Sequence, residues 1–220
     1  MSKGNFTRRG MLKTGAATGA ALAMPTIFSG AAWADGHSGF TNAPGADSVT
    51  LGFNVPQTGA YADEGADELR AYQLAVEHLN GEGDGGMLNT FSSRALDGTG
   101  ILGRRVEYVT GDTQTSSDAA RSSARSMIER DGAIMVTGGS SSGVAIAVQG
   151  LCQDAGVIFM AGLTHSNDTT GKDRRANGFR HFFNTEMSGR ALAPILEAAY
   201  GNDRKAYHLT ADYTWGWSQE

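Results

Sequence analysis

A single cysteine, Cys152, in 220 residues leaves no partner for an intrachain disulfide and no basis for a multi-cysteine zinc site. Proline is nearly as scarce, 4 residues against 31 glycines, which excludes a proline-rich linker or a collagen repeat and suits many strand-to-helix turns. Acidic residues are missing from the first 34 positions, which carry Lys3, Arg8, Arg9 and Lys13. Setting that segment aside lowers the 18 basic residues to 14 and leaves all 23 acidic ones, a net charge of −9 over 186 residues. Such a body argues against binding nucleic acid or anionic membranes, since both rely on clustered Lys and Arg. What remains, 40% hydrophobic and 19% charged, describes a folded chain of roughly one to two domains.

The amino terminus reads as an address. Thr7-Arg8-Arg9-Gly10-Met11-Leu12-Lys13 has the form of a twin-arginine export motif, and the apolar, small-residue stretch 14–32 runs into Ala32-Trp33-Ala34, an AxA cleavage site. Residues 1–34 are therefore expected to be a signal peptide. The stretch is too short and too poor in bulky side chains for a stable membrane span. No cysteine stands near the cleavage site, so a protein free in the periplasm is expected rather than a lipid-anchored one. Residues 35–47, rich in Gly, Ala, Ser and Asn, are expected to form a mobile leader.

From residue 48 the pattern alternates. SVTLGFNVP (48–56) reads as a strand, and Leu69, Tyr72, Val76 and Leu79 mark the buried face of a helix over 62–79. Strands are expected at 104–110, 133–137, 157–161, 179–184 and 205–210. Helices are expected at 116–130, 143–155, 187–200 and from about Gly216. Such alternation implies parallel crossovers and a three-layer α/β sheet with helices on both faces. The Gly-, Asn- and Ser-rich stretch 81–100 reads as a surface excursion. The chain stops at Glu220 without a helix stop signal, so a fragment of a longer protein is expected.

Two motifs stand out. Gly81-Glu82-Gly83-Asp84-Gly85-Gly86 matches GxGxxG but follows a helix, whereas a dinucleotide fingerprint follows a strand and opens a helix. No cofactor is expected. Gly139-Ser140-Ser141-Ser142-Gly143 matches GxSxG between a strand and a helix, the place of a hydrolase nucleophile elbow. That would make Ser141 a nucleophile with a later histidine as base, among His165, His181 and His208. The same turn also offers backbone N–H groups and hydroxyls to a carboxylate. In open parallel sheets ligands bind beyond the carboxyl ends of the strands, so the turns 57–64, 112–116, 138–142, 162–167 and 212–216 are candidate cleft walls. Cys152 shares a helix face with Val144, Val148, Leu151 and Ala155 and reads as a core thiol. His181 and His208, in strand patterns, read as packed side chains, and Arg174 and Arg175 as loop residues. His165 is left open between touching ligand and capping its turn.

Several segments in register carry a resemblance. LGFNVPQTGAYADEGADELRAYQLAVEHLNGEG from Leu51, GRRVEYVTGDTQTSSDAARSSARSMIERDGAIMVTGGSSSGVAIAV from Gly103, AGVIFMAGLTHSN from Ala155 and TADYTWGWSQE from Thr210 are similar to the amino-terminal half of type I periplasmic substrate-binding proteins. The subfamily they resemble is the branched-chain amino acid (Leu/Ile/Val) receptors of ABC importers. The resemblance implies a first lobe over 48–184, a crossing near 182–185, the beginning of a second lobe over 185–220, and hinge closure on a ligand between the lobes. It implies that Ser140 and Ser141 hold the ligand's α-carboxylate and that Thr164, with the backbone of Leu163, meets its carboxylate and α-ammonium. Trp215 stands where the family usually has a covering Tyr, and Glu64 where it commonly has an aromatic. Tyr61, in the first candidate wall, joins this ligand-binding set. Trp215 keeps apolar cover and offers a cation–π face, and a carboxylate at Glu64 favours a cationic or amine-bearing ligand. The acid also suits the dipole of a helix's first turn.

The expectation is thus a non-enzymatic receptor for an amino acid, amide or related amine. Its expected partners are that small molecule, ABC permease subunits in the inner membrane and the twin-arginine export machinery, with no nucleic acid and no metal. The alternative is a secreted serine hydrolase using Ser141. A signalling sensor of related fold is a third reading, favoured if a transmembrane span follows Glu220.

Overall fold

The computed structural model describes residues 41–82 and 100–220. The export motif, the cleavage site and most of the GxGxxG run lie outside the described residues. Five parallel strands form one sheet in the order β2-β1-β3-β4-β5: β1 (Ser48–Val55), β2 (Arg105–Asp112), β3 (Met135–Gly138), β4 (Ile158–Ala161) and β5 (Gly178–Arg180). The helices are α1 (Ala62–Leu79), α2 (Ser117–Glu129), α3 (Ser142–Asp154), α4 (Thr185–Tyr200) and α5 (Thr214–Gln219).

Alternation along β1 explains the layers, because successive side chains of a strand point to opposite faces. Val49, Leu51 and Phe53 face α1, where Leu69, Tyr72, Val76 and Leu79 pack against them, as the helical spacing predicts. On the other face Ala120, Ala124, Met127 and Ile128 of α2 and Val144, Val148 and Cys152 of α3 close over Val136, Phe159 and Ala161. Phe159 is fully buried there, a contribution of roughly 1.5–3 kcal/mol for a side chain of this kind. Cys152 belongs to this core, and burial pushes its thiol up to about 12, which leaves it inert as a nucleophile. Ser116 caps α2 and Asn184 caps α4 by accepting from the backbone N–H of Ala119 and of Met187.

Four expectations need correction. Residues 205–210, expected to be a strand, form no regular element: Tyr207 and Leu209 are almost fully exposed, and among the described residues no strand lies beside them to pair with. His181 and His208 are exposed rather than packed, the first because β5 ends at Arg180 and the second because it lies in that unpaired segment. The strand expected over 179–184 is only three residues long. Part of the expected leader is anchored: the Thr41 N–H donates to the Gly156 carbonyl, and Asn42 Nδ2 donates to the carbonyls of Ile128 and Ala133.

Candidate functional site

The carboxyl ends of the strands share one edge of the sheet, and the turns that leave them build a cleft of about 580 Å³. Its walls are Tyr61 and Glu64 from the β1–α1 turn, Ser140 and Ser142 after β3, Leu163 and His165 after β4, Phe182 and Phe183 after β5, and Tyr213 and Trp215 around the start of α5. The position is the one expected for a ligand in an open parallel sheet.

The serine turn depends on glycine. Gly138 and Gly139 both have φ near +121°, and Ser140 follows at φ +43°, so the chain reverses from β3 into α3 within three residues. A Cβ on Gly138 would stand 2.3 Å from the Asn54 carbonyl oxygen of the paired strand β1. Two bonds stitch this turn to the next one: the Gly162 N–H donates to the Gly138 carbonyl at 3.1 Å, and the Ser166 N–H donates to Ser142 Oγ at 3.2 Å.

Behind both turns lies a residue that sequence reasoning missed. Glu68 of α1 is only 5% exposed, and three donors converge on its carboxylate. Ser140 Oγ donates to Oε2 at 2.9 Å, the Tyr72 hydroxyl donates to Oε1 at 2.5 Å, and the Leu163 N–H donates to Oε1 at 3.4 Å. Burial, and then the adjacent carboxylate, push the Tyr72 phenol well above its usual range. The signal was present in the spacing: Glu68, Tyr72 and Val76 are four residues apart and share one helix face.

The aromatic walls have their own geometry. The His165 ring stacks on Phe182 at 4.8 Å and on Phe183 at 4.5 Å, and the Tyr61 and Tyr213 hydroxyls meet at 3.4 Å across the cleft. Burial, then the Tyr61 hydrogen bond, then the charges of Tyr61 and Glu64, raise the Tyr213 phenol. The start of α5 is held in place by polar contacts, since Thr214 Oγ1 donates to Asp168 Oδ2 at 2.7 Å and Ser166 Oγ lies 2.9 Å from Thr214 Oγ1. Arg180 donates to the carbonyls of Thr164 and Ser166 and to Thr170 Oγ1.

Burial, and then the Arg180 charge, lower the His165 pKa from its ordinary 6.5. The folded protein therefore binds this proton less readily than the unfolded chain. Its contribution to stability is full above pH 6.5 and is lost as pH falls through the lowered value. The melting temperature should fall between about pH 7.5 and about pH 5, with a shallower slope in His165→Gln. An unchanged slope in that variant would remove His165 as the cause.

The cleft thus brings together Tyr61, Glu64, Ser140, Leu163 and Trp215 of the expected ligand set. Ser141 and Thr164 do not line it. Ser141 is 8% exposed at the amino-terminal cap of α3, and Thr164 is fully buried, with Oγ1 lacking a hydrogen-bond partner among the described residues. The hydrolase alternative gains nothing, because none of His165, His181 and His208 is hydrogen-bonded to Ser141. Nor is any group of three His, Cys, Asp or Glu placed to hold a metal ion among the described residues. No helix among them is long and apolar enough to cross a membrane.

Comparison with known proteins agrees with this geometry. No curated protein sequence matches the chain significantly. Among solved structures, the amino acid ABC transporter substrate-binding protein of Pseudomonas fluorescens is 25% identical with a TM-score of 0.63, over 79% of this chain and 41% of that one. The branched-chain amino acid transporter substrate-binding protein LivJ of Streptococcus pneumoniae, in complex with isoleucine, is 21% identical with a TM-score of 0.57, over 69% of this chain and 38% of that one. A solute-binding protein of an ABC transporter from Rhodopseudomonas palustris, in complex with 3,4-dihydroxybenzoic acid, is 20% identical with a TM-score of 0.63, over 79% of this chain and 42% of that one. The chain therefore spans less than half the length of each of these three. A profile of periplasmic binding proteins matches residues 48–220, from the first strand through the whole sheet and every wall of the cleft, and the chain belongs to that family.

Proposed function

We propose that this protein is an exported solute-binding receptor of an ABC importer, which captures a small amino acid, amide or related amine and presents it to permease subunits in the inner membrane. The observation that carries the reading is the cleft itself: an aromatic-walled space at the carboxyl edge of a parallel sheet, bordered by a serine turn that opens a helix. The first turn of α3 suits a ligand carboxylate through its backbone N–H groups, with Ser141 beside them. Leu163 and Trp215 supply apolar cover, and Tyr61 and Glu64 form the rim. Thr164, fully buried beside Leu163 with an unpartnered hydroxyl among the described residues, stays in the proposed ligand set. The division into a first lobe over 48–184 and the beginning of a second over 185–220 belongs to the same reading, as do the signal peptide over 1–34 and the twin-arginine route.

A ligand that binds only the native state raises the melting temperature by mass action, about 2.7 kcal/mol of added stability at a hundredfold excess over Kd. The full-length protein, screened by thermal shift against amino acids, amides, urea, polyamines and quaternary amines, should respond to one chemical group. That response should be lost in Trp215→Ala. Folded, ligand-free protein that responds to nothing would count against the receptor reading.

A further inference from the structure

Ser140 lines the cleft, yet its one proton is committed to Glu68 Oε2 at 2.9 Å. A hydroxyl has a single proton and two lone pairs, and here a carboxylate oxygen accepts that proton. Whatever the ligand places against Ser140 therefore meets an acceptor. The surroundings agree in sign. Among the described residues the lining contains the carboxylate of Glu64 and no Lys or Arg; the nearby Arg180, whose charge reaches the His165 wall, donates to the carbonyls of Thr164 and Ser166 and to Thr170 Oγ1. The rings of Tyr61, Tyr213 and Trp215 add faces that attract a cation.

We infer that Glu68 is a positioning residue that fixes the polarity of Ser140, so that the ligand group held there is a cationic N–H donor, an ammonium or amidinium, rather than a carboxylate. This deepens the receptor reading and rests on it. A carboxylate on the same ligand is left to the first turn of α3, so the two ends of a zwitterion are distinguished by one buried acid. The orientation is not interchangeable. The Leu163 N–H and the Tyr72 hydroxyl both need an acceptor at Oε1, which in Glu68→Gln keeps the amide oxygen on that side and turns the amide NH₂ toward Ser140. Ser140 would then accept from Gln and have its own proton free for the ligand.

The test uses the full-length protein and three probes on one phenethyl frame: phenethylammonium, phenethyltrimethylammonium, which keeps the charge in a larger head with no N–H, and 3-phenylpropionate. Wild type should bind phenethylammonium at least about tenfold more tightly than either of the others, the range of a hydrogen bond to a charged group. Glu68→Gln should erase that preference and tighten 3-phenylpropionate, a change of selectivity that loss of structure alone does not produce. Ser140→Ala should also erase the preference, and adding Glu68→Gln to it should change nothing further. If Glu68→Gln does not fold, Ser140→Ala alone decides, and a retained preference in it overturns the inference. An unaltered preference in folded Glu68→Gln overturns it as well. So does failure of all three probes while the thermal screen finds another ligand, and in that case the receptor reading stands. Failure of both the probes and the screen removes the receptor reading and this inference with it.

Discussion

Gly138→Ala is expected to destabilise the protein by at least about 4 kcal/mol, in the range that single substitutions reach only through a definite structural fault. The fault is identifiable. Gly138 ends β3 at φ +121°, a conformation L side chains rarely adopt, and its Cβ would stand 2.3 Å from the carbonyl oxygen of Asn54 and 2.8 Å from its carbonyl carbon. Those atoms belong to a paired strand whose Asn54 side chain also donates to the Ala120 carbonyl of α2, so neither can retreat cheaply. Urea unfolding followed by circular dichroism would show the midpoint fall steeply. A midpoint within experimental error of wild type would mean that the turn is looser than described, and the placement of Ser140 would have to be abandoned with it.

Glu68→Ala carries the second largest effect, a loss of about 3 kcal/mol. Truncation removes the acceptor shared by the Ser140 hydroxyl, the Tyr72 hydroxyl and the Leu163 N–H. The three donors are partly buried, so each left without a partner costs about 1 kcal/mol, the low end of the range for buried groups. The three donors come from the helix and from the two turns that form the cleft, so the damage should reach ligand binding as well as stability. Glu68→Gln, which keeps the size and the two bonds at Oε1 and reverses the one to Ser140, should lose much less stability while changing selectivity. Equal melting temperatures for wild type and Glu68→Ala would show that the network contributes nothing net.

The elements that the sequence disclosed are those whose side chains have to be periodic. The Val49, Leu51, Phe53 alternation and the Leu69, Tyr72, Val76, Leu79 stripe each have one face against the core, so their spacing alone locates β1 and α1. Strand ends were less legible. β2 continues through Gly111 and Asp112, residues typical of a turn, because Asn54 and Val55 of β1 hold them in register. Residues 205–210 have the composition of a strand, but composition says nothing about whether a partner lies alongside. The serine turn was visible as a run of small residues between an apolar strand and a helix.

The rest of the site was hidden for physical reasons. A glutamate in an amphipathic helix reads as solvated until tertiary structure brings three donors to it, and only its spacing from Tyr72 hinted that Glu68 faces inward. Phe182 and Phe183 look like ordinary strand residues. They become cleft walls because β5 ends at Arg180, whose guanidinium reaches back to the β4 turn, and the chain then passes beneath His165. Thr164 and Ser141 show the converse. The resemblance puts both on the ligand and both stay in the proposed set, although Thr164 is fully buried and Ser141 does not line the cleft.

The most direct measurement is a crystal structure of the full-length protein with the solute that the thermal screen identifies. Density for that solute between Ser140, Leu163, Tyr61 and Trp215, with an N–H group within hydrogen-bond distance of Ser140 Oγ and Ser140 still donating to Glu68, is the expected result. Density elsewhere on the chain, with this cleft holding only water, would contradict the assignment of the site.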